Sequence, residues 1–267
     1  MEYDSSKQIN PLIGEVLEAI KYKDLIAQLI RRDITTKYKR SVLGIVWTML
    51  NPLGLMIIMT LVFQDFFHRQ AFYSVYVLSG MLTFTFFTQA SNSIIHNLIW
   101  GEDLFQRIYI PRSTFAIAAV GTATVNLLLA LIPLMLVALV LGSPLSWKVI
   151  FFPIYVVYLA CFSLGIGLIV ASLALHFHDI ADIYQVLLTA WFYATPIIYP
   201  YDTLTPQVKH LLFFNPMSHI VQLMRNSFYY NYAPTIQELL ITGGFALAAL
   251  LIGWFMFSRQ TEEFVLR

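Results

Sequence analysis

Charged side chains are scarce in this sequence, because only 12% of its 267 residues are Asp, Glu, Lys or Arg and 58% are hydrophobic. Soluble domains usually carry about 25% charged residues, so this chain has too little charged surface to stay dissolved. Its net charge of +1 provides no cationic field for a nucleic acid. The composition therefore indicates a membrane protein that contacts the lipid bilayer and has no nucleic-acid partner.

Cysteine and nucleotide-binding motifs are also nearly missing. Cys161 is the single cysteine, which excludes an intrachain disulfide and a cysteine-based metal centre. No Gly-Lys pair occurs in the sequence, so the Walker A loop that cradles nucleotide phosphates is absent. We therefore expect that this chain does not hydrolyse ATP by itself, and we assign it no catalytic residue, no metal and no cofactor.

Long stretches without Asp, Glu, Lys or Arg are the main positive feature. A membrane helix needs about 20 apolar residues to cross about 30 Å of hydrocarbon. We predict an all-α membrane protein with six transmembrane helices, at roughly 43–63, 73–95, 115–141, 149–175, 183–201 and 239–258. Ion-driven carriers usually place a charged residue near the membrane midplane. Because the predicted spans hold none, ion-coupled transport is disfavoured.

The distribution of Lys and Arg sets the predicted orientation, because cytoplasmic loops carry an excess of them. An even number of spans puts both termini on one side, and that side receives most of the sixteen basic residues. Both termini are therefore predicted to be cytoplasmic. Residues 1–40 would form a tail ending in an amphipathic interface helix, and residues 41–267 the six-span domain.

The segment before the first span has the periodicity of an amphipathic helix, with apolar residues at Tyr22, Leu25, Ile26, Leu29 and Ile30. We predict that this helix lies in the cytoplasmic membrane interface. Clustered cations follow its apolar face, namely Arg31, Arg32, Lys37, Lys39 and Arg40. Two interpretations stay open for them: a positive-inside anchor, or a site for a phosphorylated lipid.

The cytoplasmic connection between the second and third spans, residues 96–112, is predicted to hold a short helix. Glu102 and Asp103 would lie near its N-terminus, where the helix dipole favours negative charge. Leu104 and Phe105 would then be apolar groups on a cytoplasmic loop. Either a soluble partner covers them, or the loop folds back onto its own helices.

The extracellular segment 196–235 is too polar to span a membrane and too apolar for a plain loop. Apolar residues at helical spacing on both sides of Asn215-Pro216 predict two helices of about a dozen residues. Helices of that length cannot cross the bilayer. We therefore predict a re-entrant helical hairpin at about 201–232, which would border a polar pathway.

An enzyme is the alternative from a different class of function. A membrane enzyme acting on lipid phosphates needs several carboxylates around a divalent metal. The candidate carboxylates are few, namely Asp179 and Asp182, with Glu102 and Asp103 one loop away. His176 and His178 beside them form a His-x-His pair, for which a structural role is favoured over a metal site. Few residues therefore support this alternative.

Several short motifs connect these features to a known family. They are RDI at 32–34, KYKRSVLGIVW at 37–47, LNPL at 50–53, YIPR at 109–112, TPIIYP at 195–200, and NP at 215–216 followed by Arg225. In this order they resemble the ABC-2 type permeases that export lipid-linked polysaccharides, the O-antigen and teichoic-acid exporters. The likeness covers nearly the whole chain.

The resemblance implies the transmembrane subunit of an ATP-driven exporter in the cytoplasmic (inner) membrane of a bacterium. Two copies of this chain would work with two copies of a separate ATPase subunit, which binds ATP and magnesium. The substrate would be a polyprenyl-linked glycan. An exporter of a drug or small lipid is the alternative within the same family.

The resemblance also implies roles for individual residues. The lipid pyrophosphate would be received at the interface helix and the loop after it, by Arg31, Arg32, Lys39, Arg40, Leu43 and Gly44. The ATPase subunit would dock on a coupling helix that contains Glu102, Leu104, Phe105 and Arg107. The first and fifth spans would line a channel with Trp47, Asn51, Trp191, Phe192, Tyr193 and Tyr199.

Two of these channel features have a structural alternative. The aromatic residues at the outer end of the fifth span would also suit an ordinary membrane-interface belt. Uncharged polar residues within the spans, such as Gln89, Asn92 and Asn126, offer hydrogen bonds to sugar hydroxyls. They are equally suited to joining one helix to another.

Overall fold

The computed structural model describes residues 21–39, 43–44, 46–67, 71–100, 111–143, 147–177 and 179–265. This part of the chain is all-helical, as predicted, and contains no strand. Its α-helices are α1 (Lys23–Tyr38), α2 (Val46–Phe63), α3 (Tyr73–Trp100), α4 (Arg112–Val140), α5 (Phe152–Ala174), α6 (Asp179–Ala194), α7 (Pro206–Phe213), α8 (Pro216–Phe228) and α9 (Ile236–Val265). Short 3-10 helices at Trp147–Phe151 and Tyr201–Thr203 precede α5 and α7.

Four helical segments of the described chain are long and apolar enough to cross a membrane. They are α2, α4, the continuous segment Trp147–Ala174, and the Ile236–Arg259 part of α9. They match the first, third, fourth and sixth predicted spans. The second and fifth predicted spans correspond to α3, which has 28 residues, and α6, which has 16. Neither is among the four, so the count of six is not confirmed.

Helix α3 occupies the centre of the molecule. It packs against α2, α4, α5 and α8, and it contributes fully buried side chains to the main hydrophobic core, among them Tyr76, Phe86, Phe87 and Ile94. Because neighbouring helices cover most of its surface, α3 does not need to be apolar on every face. This central position explains why α3 needs fewer apolar residues than a helix that is surrounded by lipid.

Helices α5 and α9 form the most extensive contact between two helices in the described part of the chain. Glycines bring their backbones together: a Cβ on Gly165 would collide with the backbone of Ala249, and one on Gly253 with the carbonyl of Gly165. Small residues at helix interfaces are typical of membrane helices, where close packing supplies the attraction. Helix α5 connects this pair to α3, against which it also packs.

The chain turns from α8 into α9 at a capping box. Glu238 accepts a hydrogen bond from the Thr235 amide at 2.8 Å, and the Thr235 hydroxyl accepts one from the Glu238 amide at 3.2 Å. Burial raises the pKa of Tyr232 to about 12, so its phenol stays protonated and donates to Glu238 Oε1 at 3.1 Å. These contacts fix the start of the last helix.

Candidate functional site

One face of α3 carries polar side chains that the rest of the chain leaves partly open. Thr85 is exposed, and Thr88, Gln89 and Asn92 are half-buried. Their spacing of i, i+3, i+4 and i+7 places them on a single face, which we call the polar stripe. They lie in the middle of a helix that packs among the candidate spans α2, α4 and α5. Polar groups at that depth need water, a ligand or covering protein.

A cleft of about 380 Å³ opens on one side of the polar stripe, between α2, α3 and α4. We call it the α2 cleft. Its polar lining consists of Lys37, Thr48, Asn51, Thr85, Gln89 and Asn126. Its floor is buried, with Asn126 only 6% exposed, and the α2 side is open, with Trp47 55% exposed. Sequence reasoning named Trp47 and Asn51 as channel residues, and the structure brings both to this cleft.

A second groove, of about 280 Å³, lies on the other side of the polar stripe, between α3 and α6. We call it the α6 groove. Its polar and aromatic lining includes Thr88, Asn92, Gln185, Thr189, Phe192 and Tyr193. Gln185 Nε2 donates to Asn92 Oδ1 at 2.7 Å, and Asn92 Nδ2 donates back to Gln185 Oε1 at 3.4 Å. This reciprocal pair joins α6 to the polar stripe, and Phe192 and Tyr193 are the two channel candidates found here.

The remaining two channel candidates are engaged within the protein. Trp191 Nε1 donates to Asn215 Oδ1 at 2.8 Å, and its ring makes edge contacts with Phe87 and Phe162. The Tyr199 hydroxyl donates to the Tyr193 carbonyl at 3.0 Å. These contacts give both residues a structural role at the C-terminal end of α6.

Helix α1 is amphipathic as predicted, and its apolar face packs against protein. Leu29 and the partly buried residues around it contact Phe115 and Ala118 of α4. Gly121 makes room for this contact, because a Cβ there would collide with Ile30. The helix is therefore attached to α4, and its polar faces remain at the surface.

The predicted basic cluster divides into two parts. Arg31, Arg32 and Lys39 are exposed, and Arg32 pairs with Asp33 at 2.9 Å. Lys37 is exposed as well, but it also lines the α2 cleft. Leu43 is 44% exposed, and its carbonyl accepts from the Val46 amide at 3.0 Å in a turn where Gly44 has a φ of +49°. Arg40 lies outside the described residues.

The predicted pair of short helices at Asn215-Pro216 is present as α7 and α8. The Asn215 side chain caps α8 by accepting from the Met217 amide at 3.1 Å. It also donates to the Ala194 carbonyl at 3.2 Å and to Thr195 Oγ1 at 3.1 Å. Asn215 thus fixes the start of α8 against the end of α6. Almost every residue of α8 is buried, whereas in α7 only Leu212 is.

Arg225 of α8 is a buried cation at the centre of this region, with no exposed surface. Its Nη1 donates to Tyr76 Oη at 2.8 Å and to the Pro196 carbonyl at 2.6 Å, and its Nη2 donates to the Ile197 carbonyl at 2.9 Å. Gly80 leaves space for the guanidinium, since a Cβ there would lie 2.7 Å from Nη2. Arg225 therefore ties α8 to α3 and to the connection after α6.

Oxygen dipoles, rather than a carboxylate, surround Arg225. The hydrogen-bond acceptors of its guanidinium are the carbonyls of Tyr76, Pro196 and Ile197 and the Tyr76 hydroxyl. Its guanidinium also lies over the Tyr76 ring, 3.5 Å from the centroid. Sequence reasoning noted Arg225 only as part of a motif, because its partners are up to 149 residues away in the chain.

Two further sites were considered from the sequence, a coupling segment and a cluster of metal ligands. The proposed coupling segment, with Glu102, Leu104, Phe105 and Arg107, lies outside the described residues. Within the described residues, no three His, Cys, Asp or Glu side chains come together as a metal site would require. Asp179 and Asp182 are exposed at the start of α6, so this end of the helix offers no enclosed cluster of acidic groups.

Comparison with known proteins gives consistent relatives along nearly the whole chain. The O-antigen export system permease protein RfbA of Myxococcus xanthus is 28% identical over 95% of this chain and 98% of its own length. The polysialic acid transport protein KpsM of Escherichia coli is 25% identical over 90% of this chain and 95% of its own length.

A third relative and a protein-family model also match this chain. The capsule polysaccharide export inner-membrane protein CtrC of Neisseria meningitidis is 23% identical over 78% of this chain and 80% of its own length. The ABC-2 type transporter family matches residues 24–229, which is well over half of the chain and includes the polar stripe and Arg225. The chain therefore belongs to the ABC-2 type transporter family.

Proposed function

We propose that this chain is the membrane-spanning permease subunit of an ATP-driven exporter that moves a lipid-linked polysaccharide of the O-antigen or teichoic-acid kind out of the cytoplasm. The observation that carries the proposal is the polar stripe of α3, which is open to a cleft on one side and a groove on the other. Family membership and relatives named for polysaccharide export support the same function.

The chemistry of the path suits such a cargo. A lipid-linked glycan combines an apolar tail, a charged phosphate linker and hydrated sugars, and moving isolated charge through hydrocarbon is prohibitively costly. The polar stripe and its neighbours supply hydroxyls and carboxamides, which both donate and accept hydrogen bonds. Phe192 and Tyr193 add aromatic faces to the α6 groove. A neutral polar path lets sugars exchange partners without binding any one tightly.

The proposed topology has six spans with both termini in the cytoplasm. Helices α3 and α6 serve as the second and fifth spans. A 28-residue helix is about 42 Å long, which is ample for a bilayer. Helix α6 has 16 residues, about 24 Å, and the segment 195–199 extends it. Helices α7 and α8, with 8 and 13 residues, are too short to cross and form a re-entrant hairpin.

The exporter is proposed to contain two copies of this chain and two ATPase subunits. In the single chain α2 is the least covered of the candidate spans, with 11% of its span buried, and α6 exposes Ile183, Val186 and Leu187. A second copy placed against α2 and α6 would enclose the polar stripe. The segment with Glu102, Leu104, Phe105 and Arg107 is proposed to dock on the ATPase subunit, which binds ATP and magnesium.

Reconstituted transport tests the proposal. The chain and its ATPase subunit are placed in inverted vesicles with a lipid-linked polysaccharide, and glycan reaching the lumen is measured with and without ATP. We expect ATP-dependent delivery that stops when the ATPase is inactivated. Export of a small amphiphile without export of the glycan would favour the drug-exporter alternative instead. Turnover of a lipid phosphate by the purified chain alone would favour the enzyme.

A further inference from the structure

The α2 cleft has a chemical character distinct from that of the α6 groove. Both border the polar stripe, but the cleft alone contains a cation, Lys37, together with the carboxamides of Asn51, Gln89 and Asn126. The described lining of the cleft includes no carboxylate. Trp47 adds an indole at the open side. The set of one cation, three carboxamides and an aromatic face matches a sugar that carries a phosphate.

The cleft is graded from one end to the other. Lys37 belongs to α1, next to the start of α2, whereas Gln89 and Asn126 lie in the middle of α3 and α4. Along α2 the lining extends from Trp47 to Leu55, a rise of about 12 Å. The cation is therefore at the mouth of the cleft and the carboxamides extend inwards. A ligand would place its phosphate at the mouth and its hydroxyl groups deeper.

The volume limits what can enter. A cleft of about 380 Å³ is at the lower end of the range for small-molecule sites. It accommodates one or two sugar rings, so a longer glycan would place most of its length outside the cleft. In a polyprenyl-diphosphate-linked glycan, the sugar attached to the lipid lies directly beside the diphosphate. We propose that the α2 cleft binds this first sugar, with Lys37 at the phosphate and Asn51, Gln89 and Asn126 at the sugar.

This inference rests on the proposed function and adds a recognition step to it. A site for the first sugar distinguishes a completed lipid-linked glycan from an unloaded polyprenyl lipid and from ordinary anionic phospholipids. The rest of the polymer is free to vary, since it does not enter the cleft. The specificity of export would then depend on the linkage unit rather than on the repeating units.

Helix-to-helix contact is the competing explanation for these polar residues. It predicts that they pair with polar groups of neighbouring helices, including those of a second copy, once the exporter is assembled. It also predicts that apolar replacements change stability without changing ligand preference. A binding test that compares a lipid with and without its sugar therefore separates the two explanations.

The test uses the complex of this chain with its ATPase subunit in lipid nanodiscs and three probes. They are a polyprenyl diphosphate carrying one N-acetylhexosamine, the same diphosphate without sugar, and phosphatidylglycerol. We expect Asn51→Leu combined with Gln89→Leu to weaken binding of the sugar-bearing probe about tenfold, the effect of losing two hydrogen bonds. Binding of the sugarless probe should not change. Lys37→Gln should weaken the binding of both diphosphate probes.

Matched controls lie just outside the cleft. Gln64→Leu removes an exposed carboxamide beyond the C-terminal end of α2, and Lys23→Gln removes an exposed cation at the start of α1. Both should leave all three affinities unchanged. Equal losses for the two diphosphates in the Asn51 and Gln89 variant would overturn the assignment of a sugar site. Competition by phosphatidylglycerol at the same concentration as the sugar-bearing probe would assign the cleft to membrane lipid instead.

Crosslinking provides a second measurement, which keeps the inference testable even if the double variant does not fold. A benzophenone side chain at Leu55, an exposed apolar residue of the cleft lining, should capture the sugar-bearing probe, and excess unlabelled probe should abolish capture. Absence of capture by a complex that exports glycan would overturn the inference while the proposed function stands. A wild-type complex that neither exports glycan nor binds the probe would overturn both.

Discussion

At the scale of single residues, the burial of Arg225 most needs compensating contacts. Desolvating a guanidinium costs several kcal/mol, and here the compensation comes from the carbonyls of Pro196 and Ile197 and from both polar groups of Tyr76. The planar fork of arginine suits several acceptors at once, which a lysine ammonium does not reproduce. Arg225 is thus a fixed point for three separate stretches of the chain.

Replacing Arg225 should therefore destabilise the protein strongly. Arg225→Met leaves the Pro196 and Ile197 carbonyls without their donor, at a cost of about 2–4 kcal/mol. We expect the melting temperature of the purified chain in detergent to fall by about 5–10 °C, and Arg225→Lys to recover only part of the loss. Arg259→Met, which removes an exposed arginine of α9, is the control and should have little effect. Equal melting temperatures for the two Met variants would refute the role given to Arg225.

Some of these residue-level features were predictable from the sequence. Helical spacing on both sides of Asn215-Pro216 predicted two short helices hinged there. The family resemblance named Trp47 and Asn51 as channel residues, and both line the α2 cleft. The partners of Arg225 were not predictable, since Tyr76 and Pro196 reach it only through tertiary packing. The sequence did not distinguish Lys37 from the neighbouring cations, because the distinction is that Lys37, among the described basic residues of this cluster, lines the α2 cleft.

At the scale of helices, α7 and α8, the two arms of the proposed hairpin, differ in how firmly they are held. Helix α8 is buried along its length and is fixed at Asn215 and Arg225, whereas α7 has one buried residue, Leu212. Local opening is easiest where few apolar groups are buried. Sequence periodicity predicted both helices but not this asymmetry, because an amphipathic pattern does not reveal how much neighbouring protein covers each helix.

Hydrogen exchange should make the asymmetry visible. We expect backbone amides of α8 to exchange more slowly than those of α7 by about tenfold or more, measured by mass spectrometry on the complex in nanodiscs. Arg225→Met should accelerate exchange in α8 and leave α7 unchanged. Faster exchange in α8 than in α7 would show that the second arm, rather than the first, is the loosely held one.

Sequence periodicity also predicted α1, but the surface it contacts was not foreseen. The apolar stripe suggested a helix in the membrane interface, and in the structure that stripe packs on Phe115 and Ala118 of α4. The opening at Gly121 that admits Ile30 has no local sequence signal. Because α1 is attached to α4, it holds Lys37 at the mouth of the α2 cleft.

At the scale of the whole molecule, the described chain presents a central helix with an uncovered polar face and two lightly covered helices beside it. Composition alone identified the membrane class and the helical fold. It did not show that α3 is central, because a run of uncharged residues looks the same whether protein or lipid surrounds it. Enclosing the polar stripe requires more protein than a single chain supplies, which is the physical reason for proposing a second copy.

The most direct test of the central claim is the reactivity of thiols on the polar stripe and in the α6 groove beside it. In a chain with Cys161→Ser, the exposed positions of Thr85 and Thr189 are changed one at a time to cysteine, as are Leu128 and Leu247, exposed apolar residues of α4 and α9. A membrane-impermeant thiol reagent is then applied to the complex in liposomes. We predict rapid labelling at Thr85→Cys and Thr189→Cys, slowed by lipid-linked glycan, and little at the two control positions. Labelling of all four at the same low rate would contradict a polar path along α3.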